Sequence, residues 1–66
     1  MQTVKDILTD FESRAAAIGW DKKALLERCG LPFSTWYRWE TGRTSPQYRV
    51  LIKIDETIAA AEKRAQ

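Results

Sequence analysis

Nine consecutive residues, PFSTWYRWE from Pro32 to Glu40, hold four aromatic rings and one arginine. Large rings fill cores, but they also seat on partners. An arginine beside them offers a planar fork of hydrogen-bond donors. If the stretch is helical, a turn of about 100° per residue sorts it into two faces. Trp36 and Trp39 share one face; Phe33, Ser34, Tyr37 and Arg38 share the other. The tryptophans form the core face, joined by Leu31 and by apolar residues of other helices. Two readings stand for the opposite face. Either Phe33 or Tyr37 folds back onto a neighbouring helix, or the face is held out for a partner. The major groove of double-stranded DNA fits such a face. It admits a helix, its guanine edges accept two hydrogen bonds from an arginine, and its thymine methyls take apolar contacts. Ser34 can bond a base or a phosphate.

The charge supports a polyanionic partner once it is divided along the chain. The 66 residues carry a net +2. Residues 1–21 contribute −2, from Lys5 and Arg14 against Asp6, Asp10, Glu12 and Asp21. Residues 22–53 contribute +5, from Lys22, Lys23, Arg28, Arg38, Arg43, Arg49 and Lys53 against Glu27 and Glu40. Residues 54–66 contribute −1. The positive charge thus surrounds the aromatic stretch, which is either an ordinary solvated surface or a footprint for nucleic acid.

Other chemistry is scarce. There is no histidine, which removes the common zinc patterns and most acid–base catalysis near neutral pH. No phosphate-binding loop is present. Cys29 is the only cysteine, so no intrachain disulfide can form, and it reads as a small apolar residue of a helix. These features predict no catalytic residues, no metal or cofactor and no small-molecule ligand. No stretch is long and apolar enough for a bilayer, and the N-terminus lacks a signal-peptide pattern. The expectation is a single cytoplasmic domain over 1–66.

Four helices position the aromatic face. Thr3 is a good N-cap for the first, with Asp6 three residues on. Val4, Ile7, Leu8, Phe11, Ala15 and Ile18 recur at three- and four-residue steps, and Gly19 stops that helix. Asp21 caps a second helix with Ala24, Leu25, Leu26 and Cys29 as its apolar residues, ended by Gly30. Pro32 opens the third, residues 32–41, and Gly42 ends it. GRTSP is a loop by composition, and Ser45-Pro46 is expected to cap and start a fourth helix. Tyr48, Leu51, Ile52, Ile54 and Ile58 give that helix an apolar face. The tail 60–66 is expected to fray, with room for a short fifth helix. Residues 21–41 read as a helix-turn-helix inside an all-α bundle.

The stretch KKALLERCGLPFSTWYRWETGRTSPQYRVLIKI resembles the helix-turn-helix of lambdoid phage repressors and related Xre-type regulators. The likeness is carried by Leu25, Gly30, Leu31, Trp36, the run Arg38-Trp39-Glu40-Thr41-Gly42, Pro46, and the apolar spacing of Tyr48, Leu51, Ile54 and Ile58. It spans roughly residues 3–58. It implies a compact lambda-repressor-like bundle whose third helix is the recognition helix. Phe33, Ser34, Tyr37 and Arg38 then fall at its base-contacting positions. Lys22 and Lys23, at the start of the second helix, fall against a phosphate strand, as do Thr35, Thr41 and Arg43. The resemblance also implies a pairing of Glu40 with a base on the first helix, here Arg14. The implied function is transcriptional repression, by a homodimer on a pseudo-palindromic site. At this length the dimer contact must come from the fourth helix and tail, or form only on DNA. Two departures stand out. Leu26 replaces the family's usual small residue where the helices cross, implying a wider or rotated crossing. Phe33 and Tyr37 replace polar residues, shifting readout toward methyl contacts and shape. The same exposed rings equally suit a protein-interaction module, an antitoxin or adaptor.

Overall fold

The computed structural model describes residues 3–65, and these form four helices and no strand. They are α1 (Val4–Ala17), α2 (Lys22–Cys29), α3 (Phe33–Glu40) and α4 (Tyr48–Ala65). α1 is nucleated by a full capping box. The Asp6 amide donates to Thr3 Oγ1, and the Thr3 amide donates back to Asp6 Oδ2, both at 3.2 Å. Asp21 caps α2 by accepting from the Ala24 amide at 2.8 Å. Trp20, just before that cap, is half-buried against the core, where an apolar residue fixes the angle at which the chain enters a helix.

The turn between α2 and α3 depends on Gly30, whose φ of 70° lies in the left-handed region. This lets the Leu31 amide reach back to the Leu26 carbonyl at 2.9 Å and close the helix end. A Cβ at Gly30 would meet nothing within 4 Å, so the constraint is backbone conformation and not space. Pro32 then enters extended, and α3 begins at Phe33.

α1 packs against each of the other three helices, and α4 also packs against α2. Leu8, Phe11 and Ala15 from α1 meet Leu25, Leu26 and Cys29 from α2, Trp36 and Trp39 from α3, and Ile54 and Ile58 from α4. Leu26 is fully buried, so the bundle accepts the larger side chain at that crossing. Burial pushes the Cys29 thiol above its usual range, which suits its apolar role.

Three expectations about α4 are corrected. The helix starts at Tyr48, two residues beyond Pro46, with the Val50 and Leu51 amides both donating to the Gln47 carbonyl. It runs unbroken to Ala65, so no separate fifth helix follows among the described residues, and Gln66, the end of the tail expected to fray, lies outside them. A clasp from α1 holds it there. Arg14 Nη1 donates to Asp55 Oδ1 at 2.5 Å, while Nη2 and Nε donate to the two oxygens of Glu62 at 2.8 and 3.4 Å. Finally, Tyr48 and Ile52 are not on the core face. Ile54 and Ile58 are buried and Val50 and Leu51 are half-buried, but Tyr48 is 78% exposed and Ile52 38%. The face that packs runs through residues 50, 51, 54 and 58, and Tyr48 and Ile52 project from the other side of the same helix.

Candidate nucleic-acid interface

α3 is divided as its sequence implies. Trp36 is fully buried and Trp39 nearly so, with ring centroids 5.9 Å apart and planes tilted by 49°. On the other side Phe33 is 52% exposed and Tyr37 60%, with Ser34 and Arg38 exposed beside them. Neither ring folds back to become a core residue. The four side chains occupy positions i, i+1, i+4 and i+5 of one helix, so they form one continuous outward patch.

The buried face fixes the orientation of this patch through polar contacts as well as packing. The Trp36 indole N–H donates to Glu12 Oε1 on α1 at 3.2 Å. Lys22 Nζ lies 3.8 Å from the same Glu12 oxygen and 2.6 Å from Glu40 Oε1. Two carboxylates and one ammonium thereby tie α1, α2 and the middle and C-terminal end of α3 together. This corrects the expected pairing of Glu40 with Arg14. Arg14 turns to α4, and the cation that reaches Glu40 comes from the first turn of α2.

The expected backbone-contact residues fall into two groups. Lys23, on the first turn of α2, and Arg43, just past α3, are exposed and form no ion pair among the described residues. Arg43 is held near the patch because its amide donates to the Arg38 carbonyl at 2.9 Å. The other group is engaged within the fold. Lys22 is half-buried in its two-carboxylate contact. Thr41 spends its hydroxyl proton on the Tyr37 and Arg38 carbonyls, at 3.0 and 3.4 Å, and so closes the end of α3. Thr35 is half-buried on the flank of α3.

Two contributors leave little or no trace in the sequence. Glu12 looked like one acidic residue among several on α1, and no spacing rule links it to Trp36. Trp20 did have a signal, its place immediately before the Asp21 cap. It also carries Arg28 over its ring, at 5.2 Å from the centroid, which draws that cation onto the protein's own surface.

The helix-turn-helix domain family matches residues 12–66, and the chain belongs to it. No curated protein and no solved structure matches the chain. The matched region contains all of α2, α3 and α4, so it takes in the capped α2, the Gly30 turn and the exposed α3 face together. Domains of this class bind DNA and serve in transcription regulation. No helix among the described residues is long and apolar enough to cross a membrane.

Proposed function

We propose that this chain is a sequence-specific, double-stranded-DNA-binding transcriptional repressor of the lambdoid phage type, reading the major groove with α3. In this reading Arg38 donates to O6 and N7 of a guanine, Phe33 seats a thymine methyl, and Ser34 and Tyr37 complete the base-facing patch. Lys23 and Arg43 neutralise phosphates on either side. Lys22, Thr35 and Thr41 act at the same backbone strands mainly by holding α2 and α3 in place. The protein works in the cytoplasm as a homodimer on a pseudo-palindromic site, with half-sites about one helical turn apart. Repression follows from occupying a promoter that polymerase needs.

The observation that carries this reading is the outward face of α3. Two rings more than half exposed lie beside Ser34 and Arg38, and the one carboxylate of α3, Glu40, is paired with Lys22. Such a surface costs free energy in water and suits a polyanion with apolar methyls in its groove. The experiment is a selection of bound duplexes from random DNA, followed by footprinting. Enrichment of a motif containing G·C and T·A pairs in two symmetric half-sites is the expected outcome. The exposed rings also favour a second reading, a protein-interaction module such as an antitoxin or adaptor, in which Phe33 and Tyr37 anchor a protein partner. Failure to enrich any duplex would transfer the patch to that reading.

A further inference from the structure

α4 presents a second exposed patch, on the side opposite its buried Ile54 and Ile58. Tyr48 and Ile52 stand one turn apart, 78% and 38% exposed, and Ala59 continues the row. Both signs of charge border the row. Arg49 and Lys53 lie toward its N-terminal end, Asp55 and Glu56 toward its C-terminal end. Asp55 is held by Arg14, whereas Arg49, Lys53 and Glu56 are exposed and form no ion pair among the described residues.

This order of charges is self-complementary about Ile52. Arg49 lies three residues before Ile52; Asp55 and Glu56 lie three and four residues after it. When two α4 helices cross antiparallel on a two-fold axis at Ile52, Arg49 of each copy comes beside Glu56 of the other, while Asp55, already held by Arg14, lies on the opposite flank of the row. The two rings of Tyr48 then close over the paired Ile52 side chains. A parallel crossing would set Arg49 against Arg49 and Glu56 against Glu56, which repels. A two-fold contact uses one patch twice, and this patch satisfies itself only in the antiparallel sense.

We propose that the outward face of α4, with Tyr48 and Ile52 at its centre and Arg49 and Glu56 at its rim, is an antiparallel homodimer interface. The assignment supplies the contact surface for the dimer proposed above and rests on that reading only for its role on DNA. The patch is small beside the roughly 800 Å² per partner of a standard stable interface. The dimer is therefore weak in free solution. It gains effect when two copies sit on neighbouring half-sites, where each raises the effective concentration of the other.

The test is sedimentation equilibrium without DNA, from micromolar to millimolar chain, so that its result is independent of DNA binding. The unaltered protein is expected to pass from monomer to dimer within that range. Ile52→Glu, on an exposed position, should keep its helicity and melt but weaken association by about tenfold or more. Arg49→Glu and Glu56→Arg should each weaken it, and the double change should recover most of the loss by exchanging the pair. A protein that stays monomeric at millimolar concentration overturns the proposal. So does an Ile52→Glu variant that still dimerises normally, or a double variant no better than its parents. Failure of the α3 reading would show separately, as a dimer that forms normally and enriches no DNA.

Discussion

Phe33 and Tyr37 on α3, and Tyr48 and Ile52 on α4, are the four large hydrophobic residues left exposed among those described, and each pair is spaced by four. The pairs differ in the charges beside them. On α3 the outward neighbour is Arg38, while Glu40 is drawn inward by Lys22. On α4 Arg49 and Lys53 are answered by Asp55 and Glu56 on the same helix. A patch of one sign attracts a polyanion at a distance, and its attraction weakens with salt. A patch with one sign at each end offers little to a phosphate strand and much to a surface with the opposite order, such as another copy of itself. Apolar exposure alone would have marked both helices as sticky; the charge pattern separates what each one takes.

The largest effect should come from the residue on which both patches depend. Trp36 is fully buried and also donates to Glu12, so Trp36→Ala removes a core ring and leaves a carboxylate with one partner fewer. The expected cost is about 3–5 kcal/mol, enough to unfold a domain of this size. Thermal melting by circular dichroism measures it. A cooperative melt near that of the parent would mean that α3 is rotated, and the division between its faces would collapse.

Next in size are changes on the α3 patch itself. Arg38→Ala is expected to cost about 1–3 kcal/mol on the selected site and to relax preference at one G·C pair. Phe33→Ala should instead reduce discrimination between thymine and uracil at one position, because uracil lacks the methyl. Titrations against single-base variants and a thymine-to-uracil series read both effects. Equal losses on selected and random duplexes would leave these residues as non-specific contacts. No loss on any duplex would make the α3 patch, like that on α4, a surface for protein.

A smaller effect separates two adjacent lysines. Lys23 forms no ion pair among the described residues, and Lys22 is engaged by Glu40. Lys23→Gln should leave the melt unchanged and flatten the dependence of log affinity on log salt by about one unit. Lys22→Gln should leave that slope alone and lower stability by about 0.2–1 kcal/mol, the range for an ion pair open to solvent. Binding measured at several salt concentrations, beside melts of both proteins, gives the comparison. A flattened slope for Lys22→Gln would mean that its ammonium leaves Glu40 to meet a phosphate.

Local signals in the sequence carried most of the fold. The caps at Thr3 and Asp21, the stop at Gly30 and the two faces of α3 depend on residues within a turn or two, and each stands where its chemistry places it. What failed was tertiary. Arg14 reaches α4 and not Glu40, and nothing in its spacing could reveal that 48 residues separate it from its partner Glu62. Tyr48 and Ile52 satisfied a helical period, but a period does not say which side of the helix meets the core. Ser45-Pro46 looks like a helix start, yet α4 begins at Tyr48, where the Gln47 carbonyl accepts from the Val50 and Leu51 amides. In the candidate interface the outward α3 residues were legible because one helix presents them all. The tie of Glu12, Lys22 and Glu40 was not, because it joins three helices.

The smallest expected effect concerns the clasp that fixes how α4 lies on α1, and hence which of its sides faces outward. The hydrogen bonds from Arg14 hold the Glu62 carboxyl below its ordinary range, and the nearby Asp55 charge partly opposes that shift. A carboxyl lowered in the folded state binds protons more readily when unfolded, so stability rises with pH across its titration. The contribution of Glu62 is therefore complete above the ordinary carboxylate range, about pH 4.3, and disappears as pH falls through its lowered folded value. Glu62→Gln should be slightly less stable than the parent at neutral pH, and the gap should close in acid. Urea melts of both proteins from pH 7 down to strongly acidic solution would show it. A gap that stays constant with pH would assign the loss to packing at the end of α4. No gap at any pH would mean that Asp55 alone suffices to hold Arg14, and that the outward side of α4 is set by Ile54 and Ile58 without help from the clasp.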